Sequence, residues 1–240
     1  MSTKNYISLV VFDMAGTTVN ENNVVYKSLQ EAINKMGHDF SLDTVLLIGG
    51  GKEKLQAIRD IMKSAYSNTD ELEINAQIAF ADFLSILNEA YSNLEVTTYE
   101  GTISLFDYLR KNDIKVALNT GYNKKTALSL LAKLGWKEGE TFDALITADD
   151  VKNSRPAPDM IHVAMEKCGI SNSKEVAKIG DSIVDIEEGK SANCGLTLGV
   201  TTGAQTAEQL NTADPDFIID SLLELKEIIA LKNPATASLN

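Results

Sequence analysis

The sequence predicts an α/β fold: a doubly wound, mainly parallel sheet core with an inserted helical cap domain. Short apolar runs recur along the chain, and each is followed by a stretch with helical spacing. That alternation is interrupted once, between residues 19 and 96, where helical spacing continues without a convincing strand. Several of the apolar runs also end on polar or acidic residues, the pattern expected where an open α/β sheet presents a ligand site at its carboxyl edge.

The first run, ISLVVFD (7–13), ends on Asp13 and enters the small turn Met14-Ala15-Gly16-Thr17-Thr18. Thr18 to Asn23 then reads as an outgoing hinge. Helical spacing follows in Val24 to Met36, Lys52 to Ala65 and Glu71 to Tyr91, and Thr97 to Gly101 reads as the return hinge. The expected division is therefore a core of residues 1–18 and 97–240 and a cap of residues 19–96. The core strands resume at IKVALNT (114–120), FDALITADD (142–150), EVAKIGD (175–181) and GLTLGV (195–200), with FIID (217–220) before a final helix. The last residues, NPATASLN, read as a frayed end.

At 240 residues the chain can bury a substantial core. Its 34 acidic and 22 basic residues give a net charge of −12, which argues against nonspecific affinity for nucleic acid or anionic membranes and favours small metabolites as partners. The apolar stretch from Tyr6 to Phe12 is too short for a membrane span or the apolar part of a signal peptide. Cys168 and Cys194 form no disulfide framework and have no CxxC neighbour, so they read as small packed side chains in a reducing cytoplasm. His38, placed late in a cap helix, and His162, on a helix after Arg155, read as structural.

The polar strand ends carry the chemistry. Asp13, Asn119 with Thr120, and Asp181 with Ser182 would meet at the carboxyl edge, with Asp185 one helical turn beyond Asp181. A single acid there would read as a helix N-cap, whereas several together make an oxygen-rich site for a hard cation such as Mg²⁺. Glycines in the turn after Asp13 and in Gly121-Tyr122-Asn123 expose backbone amides suited to phosphate oxygens. Carboxylates, a metal and amides together point to phosphoryl chemistry.

These residues resemble the haloacid dehalogenase superfamily over nearly the whole chain, with four motifs in order: Asp13 in FDMAGTT, Thr120 in LNTG, Arg155 in SRPAPDM, and Asp181 with Asp185 in GDSIVD. Within it the chain is most similar to the phosphonoacetaldehyde hydrolase (phosphonatase) group, through DxAGTT, NTGYN, ADDV and RPAPDM. The resemblance implies that Asp13 attacks phosphorus and that the Ala15 carbonyl, Asp13 and Asp181 surround Mg²⁺, with Asp185 holding its water. It further implies that Gly16, Thr17, Thr120 and Gly121 bind phosphoryl oxygens and that Arg155 neutralises nucleophile and phosphate.

Ala15 stands where ester phosphatases of this superfamily have an acid that protonates the leaving group. The phosphonatase group resembles the chain in lacking that acid, because carbon–phosphorus cleavage uses a lysine Schiff base as electron sink. Lys52, in Ile48-Gly49-Gly50-Gly51-Lys52, fits the Gly-x-x-Lys spacing of that group, but the Ile-Asp-His that should follow is Glu53-Lys54-Leu55 here. Lys52 therefore reads as a Schiff base, as a substrate-binding residue, or as a side chain in solvent. The expected activity is Mg²⁺-dependent hydrolysis of a small phosphonate or phosphate through an aspartyl-phosphate. Its alternatives are strict phosphonoacetaldehyde hydrolysis through Lys52, and a catalytically weak phosphometabolite-binding or regulatory module. The cap is also a candidate surface for a homodimer.

Overall fold

A computed structural model of the chain describes residues 6–233, apart from the side chains of residues 92 and 93. The end read as frayed therefore lies, beyond residue 233, outside the described residues.

Strand β1 (Leu9–Asp13) leads into a two-residue strand β2 (Val19–Asn20). Helices α1 (Val24–Asn34), α2 (Leu42–Gly49), α3 (Lys54–Met62) and α4 (Thr69–Asn93) follow before the short strand β3 (Thr97–Thr98). The remainder alternates: α5 (Thr102–Lys111), β4 (Lys115–Asn119), α6 (Lys124–Leu134), β5 (Ala144–Ile146), α7 (Asp159–Cys168), β6 (Val176–Gly180) and α8 (Ile183–Ser191). The chain closes with β7 (Leu196–Val200), α9 (Ala207–Asn211), β8 (Phe217–Ile219) and α10 (Leu225–Lys232).

Six strands form one parallel sheet in the order β5-β4-β1-β6-β7-β8. Strand order reverses at β1, so the carboxyl ends of β4, β1 and β6 flank the switch-point crevice. Alternation along β1 sends Val10 and Phe12 into one core layer with Phe106, Leu109 and Leu130, and Leu9 and Val11 into the other with Met160, Ile161 and Ala164. Helices thus cover both faces, and burial on both sides accounts for the nearly continuous apolar strands.

The segments read as hinges pair with each other, Val19 opposite Thr98 and Asn20 opposite Thr97 in antiparallel register. Between them α4 packs on α1 and α3, while α2 packs on α1 and α3. Helix α2 was not recognised in the sequence, because its run LDTVLLIG is short and ends in glycine. His38 lies in the turn after α1 rather than in a helix, with Nε2 3.1 Å from the Tyr66 hydroxyl. His162 is in α7. Both cysteines are free and half-buried, and burial pushes their thiols up, to about 11 for Cys168 and about 12 for Cys194. Among the described residues no helix is long and apolar enough to cross a membrane.

Candidate active site

Strand β1 delivers Asp13 to the sheet edge, and the turn behind it is fixed by its own threonine. Thr18 Oγ1 donates to the carbonyl of Asp13 at 2.9 Å, and the amides of Thr18 and Val19 donate to that of Met14. Gly16 has φ +91°, and a Cβ there would lie 2.2 Å from Asp181 Oδ2. Only glycine lets this turn pass so close to the β6 carboxylate.

Asp13, Asp181 and Asp185 are all buried, and one oxygen from each lies within 4.8 Å of the others. Arg155 bridges two of them from one nitrogen: Nη1 is 2.7 Å from Asp13 Oδ1 and 2.6 Å from Asp185 Oδ1. Asp185 also accepts from Lys178 Nζ at 2.8 Å and from Ser182 Oγ at 2.5 Å. With both oxygens engaged, Asp185 suits the edge of a metal's hydration shell. Asp181 accepts from the Ala204 amide at 2.5 Å.

The electrostatics follow from this crowding. Burial first, then Asp185, raise the carboxyl of Asp13 against the opposing pull of Arg155. Burial, Asp13 and Asp185 lift Asp181 well above the usual carboxylate range. Burial also works against ionised Asp185, but Lys178 and Arg155 outweigh it and hold that carboxyl low. Arg155 is opposed by burial and raised overall by Asp185 and Asp13.

Beneath the site Lys178, with its side chain wholly buried, contacts Asn119 Oδ1 at 2.8 Å and Glu188 Oε2 at 3.4 Å. Asn119 donates in turn to both oxygens of Glu188, at 2.8 and 2.9 Å. Of the four buried carboxylates Asp13, Asp181, Asp185 and Glu188, all but Asp181 pair with the two cations Arg155 and Lys178 among the described residues. A divalent cation would offset that excess of carboxyl groups, and an all-oxygen donor set suits a hard ion. Sequence reasoning missed Lys178 and Glu188, although a lysine inside the apolar strand VAKIG was a visible signal.

Three further groups carry unfilled hydrogen-bonding capacity. Among the described residues Thr17 Oγ1, Ser154 Oγ and Arg155 Nε are buried without a hydrogen-bond partner. Thr120 Oγ1 accepts from the Tyr122 amide at 3.2 Å, which leaves its own proton to donate. Gly121 lies where a Cβ would stand 2.7 Å from the Lys52 carbonyl and 3.2 Å from Arg155 Nη2. Thr120, Gly121 and Arg155 are therefore brought together with the carboxylates.

The side chain of Lys52 is not. Its backbone touches Gly121, but Nζ is held by Asp60 Oδ2 at 2.5 Å on α3. Of the two lysines that follow the triglycine, the buried one is Lys54. Its Nζ donates to the Lys52 carbonyl at 2.8 Å and sits 4.8 Å from the centroid of the Tyr26 ring and 5.2 Å from that of Tyr122. Burial, then Arg155, bring its ammonium down to about 8. The Gly-x-x-Lys spacing is met twice, from Gly49 to Lys52 and from Gly51 to Lys54, and the fold favours the second. Gly51 has φ +72°, its amide donates to Tyr26 Oη at 3.1 Å, and a Cβ would stand 2.3 Å from Ser182 Oγ. The triglycine loop thereby lies directly against the β6–α8 turn.

The sequence profile of haloacid dehalogenase-like hydrolases matches residues 10–200, which span every strand of the parallel sheet up to β7. The chain belongs to that family. It is accordingly a hydrolytic enzyme, and the turn after Asp13, Thr120, Arg155, Asp181 and Asp185 all fall inside the matched span. Among curated proteins it is 27% identical over 258 residues to a phosphonoacetaldehyde hydrolase of Latilactobacillus sakei, covering 93% of this chain and 95% of that one. It is also 27% identical over 229 residues to a pyrophosphatase of Halalkalibacterium halodurans, covering 94% and 98%. A solved phosphonoacetaldehyde hydrolase like protein from Oleispira antarctica superposes with a TM-score of 0.81 at 21% identity, covering 98% of this chain and 95% of that one.

Proposed function

We propose that this hydrolase uses Mg²⁺ to cleave a small phosphate or phosphonate metabolite through an aspartyl-phosphate on Asp13. The observation that carries this reading is the contact of Asp13 with Arg155 inside a buried cluster whose carboxyl groups outnumber the cations paired with them. Asp13, Asp181 and the Ala15 carbonyl would hold the ion, with Asp185 at its water shell. When bound, Mg²⁺ offsets charge on the phosphoryl oxygens.

This chain's own residues do the rest. Arg155 fixes Asp13 Oδ1 and leaves Oδ2 to attack phosphorus. Thr120, the Gly121 amide and Thr17 donate to the phosphoryl oxygens, and Arg155 meets the charge that spreads over them in the transition state. Residues 19–96 act as a cap that closes over the crevice and keeps water from it. A homodimer through the cap would use Ile74 and Ile78, exposed one turn apart on α4.

A second reading, carbon–phosphorus cleavage through a Schiff base, is favoured by the burial of Lys54, whose lowered ammonium supplies a neutral amine more readily than an exposed lysine does. The relatedness to a phosphonoacetaldehyde hydrolase supports it, and Lys54 takes the place given to Lys52. Phosphate release from a panel of phosphate esters and phosphonates, with and without Mg²⁺, tests both readings. Ester turnover lost in Asp13→Asn supports the first, and borohydride trapping of an aldehyde substrate on Lys54 supports the second. A panel that yields no phosphate, with ligand binding intact, would instead favour a regulatory module.

A further inference from the structure

Ala15 leaves an ester-cleaving site without its usual proton donor, and the chain's other ionisable groups narrow what can take over. Asp185 has both oxygens bonded, and Asp181 belongs to the cation site. Arginine does not give up its proton. Lys178 is locked among Asn119, Asp185 and Glu188 beneath the sheet edge. Burial pushes the hydroxyls of Tyr26 and Tyr122 above their ordinary values, so they release protons less readily than usual.

Lys54 differs from all of these. With Gly121, Tyr122, Phe83 and Leu87 it lines a cavity of about 340 Å³ between α4 and the start of α6. Among the described residues its one hydrogen-bond acceptor is the Lys52 carbonyl, so the ammonium keeps donors to spend. Arg155, Asp13, Glu53 and Glu21 act on its charge, and the Tyr26 and Tyr122 rings flank it. Glu21, buried in the outgoing hinge, accepts from the Val25 amide on Oε2 at 3.1 Å; the charges of Lys54 and Lys27 act on it, and its own charge acts on Tyr91, Tyr99 and Tyr122. Among the described residues the hydroxyls of Tyr91 and Tyr122 are buried with no partner, so the chamber around Glu21 and Lys54 has hydrogen-bonding capacity left unfilled.

We propose that Lys54, as its ammonium, is the general acid that replaces the one missing at Ala15, and that Glu21 is its positioning residue. The proposal rests on the aspartyl-phosphate reading above. As Asp13 Oδ2 bonds to phosphorus, the bond from phosphorus to the leaving oxygen breaks with its electron pair on that oxygen. An Nζ–H bond of Lys54 breaks and its proton forms the O–H of the departing alcohol. In the second half, water bonds to phosphorus as the aspartyl oxygen leaves, and the neutral Lys54 amine takes the water's proton, restoring both the ammonium and the carboxylate. An ammonium that titrates near 8 is well matched to both directions of transfer.

The test is the leaving-group dependence of phosphate release by the Mg²⁺-supplied enzyme on 4-nitrophenyl, phenyl and ethyl phosphate. Nitrophenolate departs without a proton and ethoxide does not. Lys54→Gln should lose about 10²- to 10⁴-fold on the ethyl ester and about tenfold less than that, or better, on the nitrophenyl ester. Lys54→Arg, charged but not a usable acid, should fail to restore the ethyl ester. Glu21→Gln should steepen the same dependence more mildly. Equal losses on all three esters, or rescue by Lys54→Arg, would reduce Lys54 to a binding cation and overturn the proposal. If the Lys54 variants do not fold, the wild-type pH profile decides. Ethyl ester turnover should fall above about pH 8 while nitrophenyl turnover does not share that limb, and a shared limb overturns the proposal. Wild-type enzyme that cleaves only phosphonates overturns it too but leaves Asp13 as nucleophile. Ester turnover that survives Asp13→Asn removes the underlying reading instead.

Discussion

Replacing Lys178 with methionine should cost the fold about 3–5 kcal/mol, the usual penalty for leaving buried charge without its partner. The lysine side chain is wholly buried, 2.8 Å from Asp185 and 3.4 Å from Glu188, whose carboxylates are buried as completely. Arg155 still contacts Asp185 after the change, but among the described residues Glu188 keeps no ion pair and feels Arg155 only at a distance. The double variant Lys178→Met/Glu188→Gln removes the stranded charge together with the cation, so it should recover about 1–3 kcal/mol relative to the sum of the single variants. Urea unfolding of the four proteins, followed by circular dichroism, measures both quantities. A single-variant cost below about 1 kcal/mol, or strict additivity, would show that the network carries little of the site's stability.

Glu21 should give a pH signature: its carboxyl is raised from 4.5 to about 7 by burial, so the folded state holds its proton more tightly than the unfolded chain. Stability from this group is then full below about pH 4.5 and declines by roughly 3 kcal/mol as pH rises to about 7; Glu21→Gln should flatten that decline in pH-dependent urea titrations. Gly16→Ala should abolish turnover and lower stability by about 1–3 kcal/mol, since its Cβ would press on Asp181 at a positive φ; unchanged kinetics would contradict the tight turn. Lys52→Ala should leave turnover within a few-fold of wild type where Lys54→Ala does not, a contrast that steady-state assays read directly. Cys168 and Cys194 should alkylate slowly at about pH 8, with mass spectrometry after iodoacetamide as the check.

Much of the site was legible because strand ends are legible. Asp13, Thr120 and Asp181 each close an apolar run, and the topology places those ends beside the switch point at β1. Arg155 was readable only through the motif around it, since nothing in its spacing shows that it reaches back 142 positions to Asp13. Lys54 was hidden by a repeated signal: two glycines each stand three residues before a lysine, and only packing turns one lysine toward Asp60 and buries the other. Lys178 and Glu188 were hidden because a charged residue in a strand or helix ordinarily marks an exposed face. Here they meet below the sheet edge, a pairing between residues ten apart that needs both elements in place. Glu21 sits in a short linker that reads as polar hinge, and its burial follows only once β2 pairs with β3 and α1 turns back over it.

Asp13 is expected to become phosphorylated during turnover. Rapid-quench mass spectrometry of the enzyme turning over a cleaved ester or phosphonate with Mg²⁺ tests it most directly. A transient gain of one phosphoryl group is expected on the peptide carrying Asp13, absent from Asp13→Asn. Steady turnover with no adduct on that peptide, or an adduct on another residue, would contradict it.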